Sequence, residues 1–169
     1  MMGRALLIVG ALATLGVIAS AVLGYLLKSP TDANMPLHVL VGLASSLLLL
    51  FSHCWIMFYL IGTGKAIKDA VRENGLDPAF AEETKRFKNL SYPWLMLAMA
   101  LVMATFILGG GVATGSVPKW VHHGLFYAAI AAQVYALWVE RRVLDENERL
   151  MADVDRRLAA APSAARAGA

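Results

Sequence analysis

The sequence predicts an all-α integral membrane four-helix bundle, with both termini cytoplasmic and helical extensions reaching into the cytoplasm. Three observations predict it. First, the 169 residues are 59% hydrophobic and only 16% charged, with mean hydropathy +0.60, whereas an average soluble domain is about a quarter charged. Second, the apolar residues gather into four stretches, at about 5–27, 36–62, 92–112 and 117–139. Each reaches the roughly 20 residues that cross a hydrocarbon core, and a backbone in lipid must bond internally, which makes these stretches helices. Third, charge is lopsided. With alternating spans, thirteen of the fifteen Lys and Arg residues fall at the N-terminus, between spans two and three, or in the tail, leaving Lys28 and Lys119 opposite. Basic residues mark the cytoplasmic side. The sequence pI of about 9.2 therefore reads as topology with some attraction to anionic lipid. No nucleic-acid motif accompanies it. The lipid bilayer is the expected partner and a bacterial inner membrane the expected location.

Span one follows Met1–Arg4, and Ala19-Ser20-Ala21 has the look of a signal-peptide cleavage site. The apolar run continues to Leu27, longer than a signal core, so a retained span is expected. Its small residues Gly10, Ala13, Gly16, Ser20 and Gly24 recur at helical spacing and allow close helix approach. Lys28–Met35 reads as a polar turn and Pro36 as a first-turn proline. Span two carries the stripe His38, Gly42, Ser45 or Ser46, Leu49, His53, Ile56, a face expected to look inward. Cys54 reads as a small core residue. Gly62-Thr63-Gly64-Lys65 lacks the first glycine, the hydroxyl residue after lysine and the preceding strand of a phosphate loop.

Residues 63–91 read as a cytoplasmic helical hairpin. Its first helix stops at Asn74-Gly75 and its second restarts with Asp77 as cap and Pro78 at the first position. Span three opens with Tyr92-Pro93-Trp94, carries the row Met96, Met99, Met103, and ends on Gly109-Gly110-Gly111. Three glycines weaken a helix by roughly 1 kcal/mol each, so a close approach by backbone or a flat ligand is expected there. Span four begins with His122-His123. Its extension over 140–158 spaces Val143, Asn147, Leu150, Val154 and Leu158 helically and reads as a solvated amphipathic helix that can pack on the hairpin or a partner. The four-span domain thus covers 1–158, and the low-complexity tail 159–169 reads as disordered.

The chemistry rests on four histidines. His38 and His53 are separated by about 22 Å of helical rise and about 60° of rotation, so they share a face near opposite ends of one span. His38 and His122 or His123 begin spans two and four on the same outer side, where Gly24, Gly42, Gly109, Gly110, Gly111 and Gly124 also gather. His122 and His123 are about 100° apart and cannot both serve one site. The His122 face (Phe126, Ala129, Gln133, Ala136) is smaller and more polar than the His123 face (Tyr127, Ile130, Val134, Trp138), which favours His122. Two imidazoles across a gap bordered by glycines fit a b-type haem, with His38 and His122 as axial ligands of its iron.

In these paired histidines the chain resembles the membrane b-type cytochromes, four-helix proteins with haem ligands on facing helices. The resemblance implies haem b, electron transfer, exchange with a quinone, and a second haem at His53. No other span offers a histidine at that depth, so the second site would draw on Met96, Met99 or a homodimer partner. Two readings stand beside this one. The chain could be a non-catalytic accessory or assembly subunit of a larger membrane respiratory complex, using its cytoplasmic extensions to dock. It could also be a metal-binding or transport protein, with His38, one of His122 and His123, and Asp32 as ligands. No span carries Asp, Glu, Lys or Arg in its central part, which weighs against ion-coupled transport.

Overall fold

A computed structural model of the chain describes residues 2–29 and 31–160. They form four helices, α1 (Met2–Leu26), α2 (Met35–Asn74), α3 (Ala79–Ala113) and α4 (Lys119–Ala160), and no strand among the described residues. Helices α1, α2 and α3 are long and apolar enough to cross a membrane. Helix α4, expected as a fourth span, is not among them: His122, His123 and Gln133 interrupt its apolar half, and charged residues fill the remainder. The expected tail disorder falls, beyond Ala160, outside the described residues; Ala159 and Ala160 are helical.

The hairpin over 63–91 is made by α2 and α3 themselves, which run through it and break only at the turn. Gly75 ends α2 with φ 63°, a left-handed conformation that glycine adopts without steric cost, and Leu76 N–H donates to Val71 O at 3.1 Å. Asp77 Oδ1 accepts from Ala79 N–H at 2.8 Å. Pro78 occupies the cap position rather than the first helical one, so α3 starts a residue later than expected. Pro93 lies inside α3, and the helix continues through it instead of beginning there.

Each helix packs on its chain neighbours, α1 also meets α4, and α2 meets α4 across the middle. The small-residue face of α1 is the reason α2 comes so close. A Cβ added at Gly10 would lie 3.1 Å from Ser52 Oγ, one at Gly42 2.8 Å from Ser20 Oγ, and one at Gly16 would collide with Ser45. Gly62, by contrast, has nothing within 4 Å. Gly16→Val should therefore destabilise the fold by about 1–3 kcal/mol through overpacking, while Gly62→Ala should be neutral or stabilising by up to about 1 kcal/mol. Denaturant unfolding of the two variants in one detergent checks the contrast.

The core is built from all four helices. Leu6, Ile56, Leu60, Phe87, Leu95, Val139, Val143 and Leu144 form one cluster, and Ala13, Leu49, Val102 and Ala129 a second. The opposite faces are apolar too: Ile8, Leu12, Leu15, Phe51, Phe58 and Ile107 are all more than half exposed, a pattern suited to lipid contact. Cys54 belongs to this outward surface rather than the core, with its Sγ 3.9 Å from Met99 Sδ.

Burial is uneven along the helices. No described residue beyond Ser20 on α1, before Ser45 on α2, beyond Val102 on α3 or before Ala129 on α4 is buried. The end that holds His38 is therefore open, and the packed part lies toward Gly75.

There the extension over 140–158 is not merely solvated. Glu140, Val143, Leu144, Asn147 and Val154 are buried, and Glu146 joins α4 to α3 by accepting from Arg86 at 2.7 Å and from Arg142 at 2.9 Å. Arg142, and then Arg86, hold the Glu146 carboxyl below its ordinary range. A depressed carboxylate contributes stability above its unfolded value of about 4.3 and loses it as pH falls through the lower folded value. Wild type and Glu146→Gln should thus melt at different temperatures near neutrality and converge in acid, which a pH series of thermal melts measures.

Candidate functional site

Two constellations stand out, one at the open end and one in the packed interior. At the open end, His38 on α2 rests on α1. Its Nδ1 donates to Ser20 O at 2.7 Å, and Ser20 Oγ returns a bond to His38 O at 3.0 Å. His122 on α4 repeats this on α3, with Nδ1 donating to Thr105 O at 3.0 Å. A carbonyl oxygen only accepts, so Nδ1 carries the hydrogen in both rings and Nε2 is left as the lone-pair nitrogen of the neutral imidazole. The parallel extends further. One turn beyond each carbonyl sits a glycine, Gly24 or Gly109, over which the ring lies; an added Cβ would stand 2.8 Å from the His38 ring and 3.1 Å from the His122 ring. Hydroxyl residue, three residues, glycine, then histidine on the next helix: the motif occurs once in α1–α2 and once in α3–α4.

The His122 and His123 rings lie 6.0 Å apart. His123 is turned aside, its ring 4.8 Å from that of Tyr25, and Tyr25 and Tyr127 share a hydrogen bond of 2.8 Å. The remaining glycines differ in role. Gly42 admits Ser20 and Gly111 admits Val117, while Gly110 and Gly124 face nothing within 4 Å.

The interior constellation joins three helices. His53 on α2 is fully buried, with Nδ1 2.5 Å from Glu140 Oε1 and Nε2 2.8 Å from Gln133 Oε1, both on α4. Gln133 Nε2 donates to Thr14 Oγ1 on α1 at 3.1 Å, and Thr14 donates to Gly10 O at 2.8 Å. These bonds fix the polarity of the chain. The Thr14 hydrogen is spent on a carbonyl, so its oxygen accepts from the Gln133 amide; the Gln133 oxygen then faces His53, and His53 Nε2 must carry a hydrogen. A further proton lies between Nδ1 and Oε1, because two bare acceptors would repel at that distance. Glu140 Oε2 is buried without a partner.

No family model matches this chain, and no curated protein or solved structure matches it either.

The residues singled out from the sequence divide accordingly. His38 and His122 come to the same end, on one pattern. His53 lies apart from them, and both its nitrogens are occupied by α4 side chains, so it has none to offer a haem in this structure. Met99 is buried beside Cys54, and Met96 is more than half exposed. Gly24 and Gly109 seat the histidine rings themselves. No group of three or more His, Cys, Asp or Glu residues placed to hold a metal occurs among the described residues, so Asp32 does not complete a set with the histidines.

Sequence reasoning missed Glu140 as a buried acid, because it was assigned to the solvated extension. A signal was present: Gln133, Glu140 and Asn147 recur every seventh residue, which returns to nearly the same helix face, with a drift of about 20° per step.

Proposed function

We propose that the protein is an integral membrane electron-transfer protein that binds haem b at its open end through His38 and His122. The observation that carries this is the matched pair of imidazoles, each tied through Nδ1 to a backbone carbonyl of the preceding helix, at the one end where no described residue is buried. Such a tie sets the tautomer and orientation of a ligating histidine and raises its basicity. The donor set suits the group: His38 and His122 would hold it, since neutral imidazoles are common ligands of haem iron. When bound, the haem supplies one-electron redox chemistry. The chain's own contribution is to orient both rings, to hold them on Gly24 and Gly109, and to surround the site with apolar helices.

With α4 crossing beside the three more apolar helices, the lopsided distribution of Lys and Arg supports an orientation in a bacterial inner membrane with the open end outside and both termini in the cytoplasm. An accessory-subunit role receives less support, since the extension that would dock a partner is largely engaged with the chain's own α2 and α3. The test is an absorption spectrum of protein purified after haem-replete expression and reduced with dithionite. A Soret band with the narrow α band of a low-spin, bis-imidazole haem supports the reading, and its absence ends it.

A further inference from the structure

The buried polar side chains continue past Glu140. Gln133, Glu140 and Asn147 on α4 are each no more than 1% exposed, and Asn147 Oδ1 lies 3.3 Å from Thr63 Oγ1 on α2. Thr14, Gln133, His53 and Glu140 form one bonded chain through the apolar core. Thr63 and Asn147 form a separate polar pair about two helical turns further toward the Gly75 end, where Thr63 Oγ1 also donates to Tyr59 O at 3.0 Å. The surrounding core supplies Leu6, Ile56, Leu95 and Val143, one from each helix. The titratable groups packed against that core are Tyr59, which meets Asn147 and the charge of Glu148, and Tyr92, whose hydroxyl donates to Met57 O at 2.9 Å. The side chains hydrogen-bonded to the His53 ring are Glu140 and Gln133. Arg141 and Arg142, next to Glu140 in sequence, are exposed, and Thr14 is the polar group that α1 contributes.

Glu140 Oε2 is the one buried side-chain nitrogen or oxygen among the described residues that has no partner. Leaving a carboxylate oxygen bare in an apolar interior is costly, and ionisable groups buried inside the helix bundles of membrane proteins mark proton or ion pathways by default.

We propose that Glu140 is an intramembrane proton-binding site, loaded at Oε2 from the Gly75 end by way of Asn147 and Thr63, with His53 holding the neighbouring charge. In the unloaded form the bridging proton is shared between His53 Nδ1 and Glu140 Oε1, and the pair is neutral overall. Loading transfers one proton from water at the Gly75 end to Oε2. The carboxyl becomes neutral, the imidazolium keeps its bond to Oε1, and the charge of the site rises by one with no change in electron count. Unloading reverses the step. The proposal is independent of haem at the other end.

Infrared spectroscopy of the full-length protein in lipid nanodiscs tests it. Exposed carboxyls exchange deuterium at once, whereas a buried one exchanges slowly. The expected result is a slowly exchanging carboxyl band that grows as pH falls, shifts on heavy-carbon labelling of glutamate, and is missing from Glu140→Gln. The labelled wild type carries the assignment even if that variant folds poorly. Asn147→Leu should slow the exchange of this band about tenfold while leaving its titration midpoint in place. The proposal is overturned by a wild-type protein with no slowly exchanging glutamate band at any pH at which it stays folded, since Glu140 is then a permanently ionised structural partner. It is equally overturned by a band that does not titrate, or by one that exchanges as fast in Asn147→Leu as in wild type.

Discussion

His53→Ala should destabilise the protein by about 3–5 kcal/mol, because it removes one partner of a buried ion pair and leaves the other without compensation. The cost has two parts in this structure. Glu140, fully buried, would have neither oxygen paired, since Oε2 already lacks a partner. Gln133 would also lose the donor to its Oε1. The double replacement His53→Leu with Glu140→Leu should recover most of the loss, since apolar side chains of similar volume often match or exceed a buried ion pair in stability. A double-mutant cycle measured by reversible denaturant unfolding gives the coupling energy. A loss below about 1 kcal/mol for His53→Ala would mean the pair is not desolvated as described.

The second large effect concerns the open end. His38→Ala and His122→Ala should each abolish stoichiometric haem binding, while His123→Ala, whose ring rests on Tyr25, should retain it. Loss of an outer partner of a ligand commonly costs about 10–100-fold in affinity, so loss of the ligand itself should cost more. Haem content per chain, measured after denaturing extraction, separates the three variants. Equal retention in all three would remove His38 and His122 from the site. Gly24→Ala offers a gentler probe: its Cβ would press on the His38 ring, changing the spectrum before it changes the fold.

The helical character of the chain was plain from its sequence because apolar runs of span length admit one backbone solution. Faces were legible as well. Of the stripe on α2, Ser45, Ser46, Leu49, His53 and Ile56 are buried while His38 and Gly42 at the open end are half-buried. On α4, Ala129, Gln133 and Ala136 are buried and Tyr127, Val134 and Trp138 exposed, with Phe126 and Ile130 in between. Pairing was harder to read. Periodicity gives the face on which His53 lies but not the residue opposite, which depends on how far α2 and α4 slide past each other. That offset brings Glu140, just past the expected end of span four, level with a histidine eighteen residues into α2. The glycines misled for a related reason. Their number at one depth signalled a close approach, and only coordinates show that the approaching groups are Ser20, Val117 and the two imidazoles.

The closure of the helices at one end and not the other also bears on biogenesis. A scaffold whose buried residues all lie on the Gly75 side of Ser20, Ser45, Val102 and Ala129 can reach its mature shape during insertion, before anything has entered its mouth. If haem binds there as proposed, the chain without it would persist as a stable resident pool, and its lifetime in the cell would not track the supply of haem.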